Sequence, residues 1–352
     1  RIVLLQWGPP LYGLIWERWR FTDAFADVGG TLAWWTAFIL GDILYYFYHR
    51  VSHYVSWFWA GHVVHHSSQE YNLSTALRQP ANDFLTPATL LSTTMLAFLV
   101  PPGLAVLQGQ FGLLYQFWIH TELVPPLPVA ELLLNTAALH RVHHARNPRL
   151  LGKNYGSVLI VWDRLGGTFE PEPAAGEGEE PLHYGTVPPL DSWSPLWANL
   201  VHFRHMLTTQ RRWHGWLTPF VHWTPPGSRC PRLGSRLNPR DKFDARPGSA
   251  ALTCYAAVEF LLVVAAALAA LLCSPPHDWG PLWRSAYFGA AFLVSLAGLS
   301  SVAWLQSVRV GPGLRRCLVA EGCRQILLVS LAAPILLLWP PMALPFAALV
   351  AA

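Results

Sequence analysis

The chain has 352 residues, of which 53% are hydrophobic and 12% are charged, and its net charge is +4. Soluble domains usually carry about 25% charged residues, so this composition favours a membrane protein. The charge is modest and no basic stretch carries a nucleic-acid-binding motif, so nucleic acid is excluded as the expected partner. The five cysteines form no CxxC pair and are predicted to be reduced, small apolar residues.

Long apolar segments recur along the chain, and each is long enough to cross, or nearly cross, the hydrocarbon layer of a bilayer. They are predicted as transmembrane helices, with the second and third forming a hairpin. No segment shows the sustained alternation of period two that indicates strands. The predicted fold is therefore an all-α integral membrane protein. The segments cover residues 31–48, 84–100, 104–120, 251–273, 283–306 and 317–339.

The basic residues predict the orientation of these segments. Residues 125–249 hold 14 of the 24 Lys and Arg side chains, and loops rich in such residues face the cytosol. Tracing the spans outward from that region places every histidine cluster on the same, cytosolic face. The expected location is the endoplasmic reticulum membrane, or the inner membrane if the protein is bacterial.

Two parts of the chain are expected. Residues 1–250 would form a catalytic domain with transmembrane helices, and residues 251–352 would add C-terminal transmembrane helices. Within the first part, residues 162–169 and 192–223 are rich in Trp with interleaved bases. That composition is typical of short helices in the headgroup layer. These helices are predicted to form a cap on the cytosolic face.

Nine of the fifteen histidines follow a pattern. Residues spaced i, i+3 and i+4 project from one face of a helix, so each motif directs its imidazoles towards one point. An isolated histidine near a membrane is usually an interfacial hydrogen-bonding residue, but three such clusters on one face indicate a metal site. The patterned residues are His49 and His53, then His62, His65 and His66, then His120, and finally His140, His143 and His144.

The size of this set predicts two metal ions, because one structural zinc ion needs only four ligands. Neutral imidazole suits zinc, iron, copper or nickel. Nitrogen ligation without thiolate argues against an iron–sulfur cluster. A pair of iron ions beside lipid indicates activation of O2 for an attack on an apolar substrate, with the protein supplying placement and shielding.

At these residues the sequence resembles the fatty acid hydroxylase superfamily of membrane di-iron enzymes. The family pattern HxxxH, HxxHH, HxxHH is matched by the three clusters, and the stretches DILYYFYHRVSH and WAGHVVHHSSQEYNLSTALRQ are similar to those of its alkylglycerol monooxygenases. The similarity covers most of residues 35–200 and includes RNPRLLGKNYGSVLIVWDRLGGTFEPE.

The resemblance implies an activity and a set of cofactors. The enzyme would hydroxylate the ether carbon of an alkylglycerol with O2 and release a fatty aldehyde and a glycerol derivative. The eight box histidines would bind two iron ions, and His120, which matches a family histidine between the boxes, would be a ninth ligand. Tetrahydrobiopterin would supply the electrons. The partners implied are a lipid substrate and the membrane, with no obligate protein partner.

The first box departs from the family at Tyr54, where the family commonly has Glu. By resemblance this position contacts the cofactor, so Tyr54 is the predicted cofactor-binding residue. A tyrosine can hydrogen-bond but cannot supply the negative charge of a carboxylate. Two alternatives therefore stay open: another electron donor, or compensation by Glu70 or Glu122.

Three further polar residues are site candidates. Asp42, two turns before His49, is predicted to accept a hydrogen bond from a ligand imidazole, or else to pair with Arg50. Arg78 and Asn72 follow the second box and are predicted to hold the glycerol headgroup, Arg78 being able to bind a phosphate. Capping of a loop is the alternative for Asn72.

Two other functions compete with ether cleavage. A sterol or fatty acyl hydroxylase or desaturase of the same superfamily would keep the iron and change the substrate. A metal transporter or sensor would use the histidines along a path, but transport sites usually lie near the bilayer midplane on broken helices. Here the histidines are predicted beyond the helix ends, on one side.

Overall fold

The structure is a computed structural model that describes residues 2–23, 30–81, 94–174, 180–187, 189–190, 192–210, 250–272, 280, 287, 295 and 298–300. These residues are mostly helical, and isolated β-bridges join Leu134 to Leu159 and Ala145 to Tyr184. The predicted all-α class is confirmed for this part of the chain. The predicted segment at 317–339 lies outside the described residues, as do most of 283–306 and the first ten residues of 84–100.

The described residues consist mainly of α-helices. We label the α-helices in chain order, and a π-helical turn, Met206–Gln210, extends the eighth. Two short 3₁₀ helices, Ala130–Leu132 and Pro148–Leu150, flank α6. The α-helices are α1 (Ile2–Trp19), α2 (Thr31–Tyr54), α3 (Ser56–His66), α4 (Leu73–Leu77), α5 (Pro102–Trp118), α6 (Ala137–His144), α7 (Val161–Gly166), α8 (Pro195–His205) and α9 (Ala250–Leu272).

The chain divides into two compact units. One comprises Val3–Leu190 with Asn199–Lys242, and the other comprises Asp191–Ala198 with Phe243–Ala352. All nine patterned histidines belong to the first unit. The predicted division into a catalytic domain and C-terminal helices at residue 250 stays a prediction, because two compact units do not show which residues are catalytic.

Helix α2 organises the first unit. Its small residues Ala33 and Ala37 are buried and let α5 approach closely, so that Leu104 packs fully buried against them. Towards its C-terminal end, His49 and His53 are also buried. The helix therefore packs apolar residues at one end and presents imidazoles to the protein interior at the other.

None of the helices in the described ranges has both the length and the apolarity required to cross a membrane. The helices predicted at 31–48, 104–120 and 251–273 are present as α2, α5 and α9, and their role as membrane spans stays a prediction.

A long irregular segment after α6 folds back onto α2 and α6. A buried ion pair anchors it: the guanidinium of Arg141 donates two hydrogen bonds of 2.6 Å to the carboxylate of Glu172. The same guanidinium donates to the carbonyl oxygens of Thr121 and Val124. Arg141 lies on α6 between two of the predicted ligands, so this pair ties the segment to the helix of the third box.

Breaking this pair is expected to destabilise the protein strongly. Glu172→Gln leaves the Arg141 charge buried without its partner, which costs about 3 kcal/mol or more in the free energy of unfolding. Glu170→Gln is the matched control, because its partner Lys153 is 3.5 Å away and both side chains are partly exposed. That change should cost less than about 1 kcal/mol. Chemical denaturation measures both, and equal losses would contradict this account.

Candidate metal centre

The nine patterned histidines meet in two adjacent groups. Within each group, one ring nitrogen from every residue lies within 4.8 Å of the others. The groups touch through the stacked rings of His66 and His144, whose centroids are 4.3 Å apart. We call the first set group A and the second group B. Group A is His49, His53, His62, His66 and His143, and group B is His65, His120, His140 and His144.

Three helices bring the groups together. Helix α2 carries the first box and α3 carries the second, and Val55 lies between them in an extended conformation. Helix α6 carries the third box and begins at Thr136, whose side chain accepts a hydrogen bond from Leu139 N. His120 follows the C-terminal end of α5. The sequence expectation that these residues converge is thus met by the geometry, while their function as iron ligands is a separate proposal.

The spacing of the ring nitrogens fits metal coordination. In group A, Nε2 of His62 lies 2.9 Å from Nε2 of His49 and 3.1 Å from that of His66. In group B, Nε2 of His120 lies 3.2 Å from the Nε2 atoms of His65 and His140. Two nitrogens bound at right angles to one metal ion at ~2.1 Å are ~3.0 Å apart. Each group therefore has the dimensions of a coordination shell.

Backbone carbonyls set the tautomer of two imidazoles in each group. In group A, Nδ1 of His49 donates to Tyr155 O at 2.9 Å, and Nδ1 of His143 donates to Lys153 O at 2.9 Å. In group B, Nδ1 of His65 and of His120 donate to Arg78 O and Gln116 O. A carbonyl only accepts, so these Nδ1 atoms carry the proton. Each Nε2 then directs a lone pair into its group, as a metal ligand requires.

One buried atom supports a metal directly. Nε2 of His144 is buried and has no hydrogen-bond partner among the described residues. A buried polar atom without a partner is costly, and a bound cation removes that cost. The donor set of both groups is imidazole alone, which suits borderline metals such as iron or zinc. The residues present therefore fit two metal ions.

Burial keeps the imidazoles neutral. Desolvation lowers the pKa of His49 to about 4 and the pKa values of His66 and His143 well below their usual range, and neighbouring imidazoles lower them further. The pKa values of His140 and His144 are lowered for the same two reasons. At neutral pH, protons do not compete with a metal ion for these nitrogens.

Tyr54 is the last residue of α2, and its ring is separated from the group A histidines by the ring of Tyr155. Its ring centroid is 6.5 Å from that of Tyr155, whose ring contacts His49, His53 and His143. The ring is also 5.9 Å from the guanidinium carbon of Arg50. Tyr54 is thus near group A, and its predicted contact with a cofactor stays a prediction.

The prediction for Asp42 is wrong. Its carboxylate accepts hydrogen bonds from Val158 N, Leu159 N and the indole nitrogen of Trp162, at 2.8–3.1 Å. It contacts neither a ligand imidazole nor Arg50, because the irregular segment lies between. Asp42 thus holds that segment against α2, and backbone carbonyls have the role that sequence reasoning gave to this carboxylate.

Arg78 and Asn72 have structural contacts beside group B. Nε of Arg78 donates to Val64 O and Ser67 Oγ, at the C-terminal end of α3. Asn72 caps α4, where its Oδ1 accepts from Ser74 N. The capping alternative for Asn72 is therefore observed. Contact of either residue with a headgroup stays a prediction.

Sequence reasoning missed Asp163, a fully buried carboxylate on α7. It accepts hydrogen bonds from Tyr155 N at 2.7 Å and Gly156 N at 2.6 Å, and so fixes the turn that supplies the carbonyl to His49. It also accepts from Thr168 Oγ1. Its stretch, WDRLGGTF, lies within the segment that resembles the family, but no spacing pattern in the sequence marks this acid as a site residue.

Comparison with known proteins agrees with this geometry. Residues 34–168 match the sequence profile of the fatty acid hydroxylase family, and this range includes both histidine groups. No solved structure matches the chain.

Several relatives of this chain carry the name alkylglycerol monooxygenase. The human protein is 39% identical over 262 residues, which are 72% of this chain and 57% of that protein. The Danio rerio protein is 46% identical over 187 residues, 53% of this chain and 40% of its own length. The ornithine lipid hydroxylase OlsE of Rhizobium tropici is 28% identical over 142 residues, 38% of this chain and 41% of that protein. The chain spans about half the length of the alkylglycerol monooxygenases it matches.

Removing a ligand from either group should reduce the metal content. We expect the purified wild-type chain to hold about two metal ions, because two groups exist and each exceeds three ligands. His143→Ala in group A and His65→Ala in group B should each reduce the content to about one or fewer, measured by mass spectrometry of the metals. His205→Ala, outside both groups, is the control. Full metal content in both ligand variants would contradict the assignment.

The metal-free protein should lose stability in acid. The unfolded chain binds protons at its histidines near pH 6.5, whereas the folded chain, with pKa values such as about 4 for His49, does not. The free energy of unfolding should therefore fall as the pH drops from about 6.5 towards 4, by about 1.4 kcal/mol per pH unit for each buried histidine. Urea titrations at several pH values measure this slope.

The His143→Asn variant tests the cause of that slope. It removes one imidazole that resists protonation, so its slope should be shallower by about 1.4 kcal/mol per pH unit. A stability that is independent of pH across this range, or an unchanged slope in the variant, would show that the histidines are not held neutral by burial.

Proposed function

We propose that this protein is a di-iron monooxygenase that cleaves ether lipids. Groups A and B would each bind one iron ion through their imidazoles. The substrate would be an alkylglycerol, and the products a fatty aldehyde and the free glycerol derivative. The observation that supports this best is the pair of adjacent, largely buried groups of imidazoles within the residues that match the fatty acid hydroxylase profile.

The proposed reaction balances as a monooxygenation. One oxygen atom of O2 enters the C–H bond of the alkyl carbon next to the ether oxygen, and the other leaves as water with two electrons and two protons. The hydroxylated carbon is a hemiacetal, which collapses to the aldehyde and the alcohol. Iron held by the imidazoles supplies the activation of O2. The names of the relatives at 39% and 46% identity support the ether substrate.

The chain's own residues would hold and shield that chemistry. The carbonyls of Tyr155 and Lys153 fix His49 and His143, so the ligands are preorganised before a metal ion binds. The rings of Trp59 and Tyr71 cover the two groups from different sides, at 5.0 Å from His53 and 5.2 Å from His144. These aromatic walls would limit the access of water.

We also propose that the protein works at a membrane, with the centre towards the cytosol. Helix α5 supports the first part, since Val106, Leu107, Leu113 and Leu114 are all more than half exposed. A row of large exposed apolar side chains is typical of a surface that contacts lipid or another protein. The distribution of Lys and Arg supports the orientation. An alkyl chain would then reach the centre from the lipid phase.

The electron donor is proposed to be tetrahydrobiopterin, with Tyr54 near its binding site. The position of Tyr54, one ring away from group A, is consistent with that role. Arg50 lies against the same ring and would supply a positive charge beside the donor. The headgroup is proposed to lie near Arg78, whose carbonyl accepts the hydrogen bond of His65.

A second candidate is hydroxylation of another lipid without cleavage. The similarity to an ornithine lipid hydroxylase of Rhizobium tropici, 28% identical over 142 residues, favours it. A sterol or fatty acyl substrate is a related possibility within the superfamily. These reactions use the same centre and differ in which carbon is presented to it.

Isotope labelling separates the two candidates. The iron-loaded chain is incubated with an alkylglycerol, ¹⁸O2 and tetrahydrobiopterin, and any aldehyde is trapped at once by reduction to the alcohol. We expect labelled fatty alcohol and unlabelled glycerol, because the inserted oxygen stays on the alkyl carbon. Parallel reactions with a fatty acyl lipid and with a sterol test the second candidate.

The outcomes divide clearly. No aldehyde from the alkylglycerol, with hydroxylated product from another lipid, would replace ether cleavage by the second candidate. Label in the glycerol would contradict attack at the alkyl carbon. Aldehyde formed with dithionite but not with tetrahydrobiopterin would keep the reaction and refute the proposed donor.

A further inference from the structure

One peptide unit links a buried carboxylate to a histidine of group A. The carbonyl oxygen of Tyr155 accepts the hydrogen bond from Nδ1 of His49, at 2.9 Å. The amide nitrogen of the same planar peptide unit is that of Gly156, which donates to Oδ2 of Asp163 at 2.6 Å. The carboxylate and the imidazole are therefore joined through a single conjugated group.

We propose that Asp163 is a positioning residue that acts on His49 through this peptide unit and increases the electron density at the metal ion of group A. A hydrogen bond to a charged acceptor polarises the peptide, and its carbonyl becomes a stronger acceptor for the imidazole proton. Histidine ligands often donate directly to a carboxylate, which raises their basicity. Here a peptide unit transmits the same influence over a longer distance.

The site is built for this contact. Asp163 is fully buried, and its other oxygen accepts from Tyr155 N and Thr168 Oγ1, both at 2.7 Å. At Gly156 a Cβ atom would lie 2.4 Å from Leu159 O and 3.1 Å from Oδ2 of Asp163. Only glycine therefore lets the carboxylate approach the amide.

The second anchored histidine of group A provides an internal comparison. Nδ1 of His143 donates to Lys153 O, and the amide nitrogen of that peptide unit belongs to Asn154. Asn154 N donates to the carbonyl oxygen of Thr168 at 3.0 Å, not to a carboxylate. The two arrangements have the same connectivity and differ in charge. The effect of Asp163 is therefore specific to His49.

Asp42 supplies a matched control. It is a buried carboxylate that holds the same segment through Val158 N and Leu159 N. The carbonyl of the second peptide unit, Val158 O, accepts from Asn135 N and not from an imidazole. Asp42→Asn therefore weakens the segment without touching a peptide unit that contacts a ligand.

The inference rests on metal binding by group A in the proposed function, and not on the substrate. The test compares iron-loaded wild-type protein with Asp163→Asn and Asp42→Asn, by iron content and by spectroelectrochemical titration. Asp163→Asn should retain about two irons and make reduction of one iron about tenfold more favourable, which is about 59 mV for a one-electron couple. Asp42→Asn should leave both potentials unchanged.

The outcomes are distinguishable. Wild-type protein that binds no iron would overturn the proposed function and this inference together. Iron in the wild type with no shift in Asp163→Asn, or with an equal shift in Asp42→Asn, would overturn this inference alone.

A second variant keeps the test open if Asp163→Asn fails to fold. Thr168→Val removes a hydroxyl donor to Asp163 and leaves the carboxylate in place. The carboxylate charge of Asp163 is then shared between the two amide donors alone, so its effect on His49 increases. The reduction potential of the same iron should therefore become lower, opposite to the change in Asp163→Asn. An unchanged potential, or a shift towards easier reduction, would overturn the inference.

Discussion

The structure depends on holding nine imidazoles side by side in the interior. A buried polar group is costly unless it has a partner, and the chain provides partners on the outer side of several rings while leaving nitrogens free to converge on the inner side. Carbonyls from outside the helices take the outer protons of His49, His65 and His143, and Gln116 O in the last turn of α5 takes that of His120. Binding of metal ions by the inner nitrogens would offset the free-energy cost of burying them.

The irregular segment after α6 is as important as the helices. Helices supply ligands at fixed spacing, but most of their own carbonyls accept hydrogen bonds within the helix, and only those of the last turn, such as Gln116 O, are available. Outer partners for the rings of group A must therefore come from a segment whose carbonyls are available. Asp42, Asp163 and the Arg141–Glu172 pair hold that segment against the bundle. Buried charges thus stabilise the loop that orients the ligands.

Sequence alone predicted the helices and the convergent histidines, because spacing along a helix determines direction. It also related the three boxes and His120 to one centre. It did not predict the roles of Asp42 and Asp163, because both carboxylates bind backbone amides. Asp42 binds an amide more than one hundred residues away, and Asp163 binds one only a few residues away. Every residue except proline has such an amide, so the sequence does not indicate which one is bound. The spans were predicted from apolar composition, which did not reveal that α2 also buries Asp42 in the protein interior beside His49 and His53.

The central claim is that both groups hold iron through imidazole nitrogen. X-ray absorption at the iron K-edge of the purified full chain tests it most directly. The account predicts about two irons per chain, with a first shell of nitrogen at ~2.1 Å and the outer-shell scattering of imidazole rings. A first shell containing sulfur, or iron that binds without imidazole scattering, would contradict it.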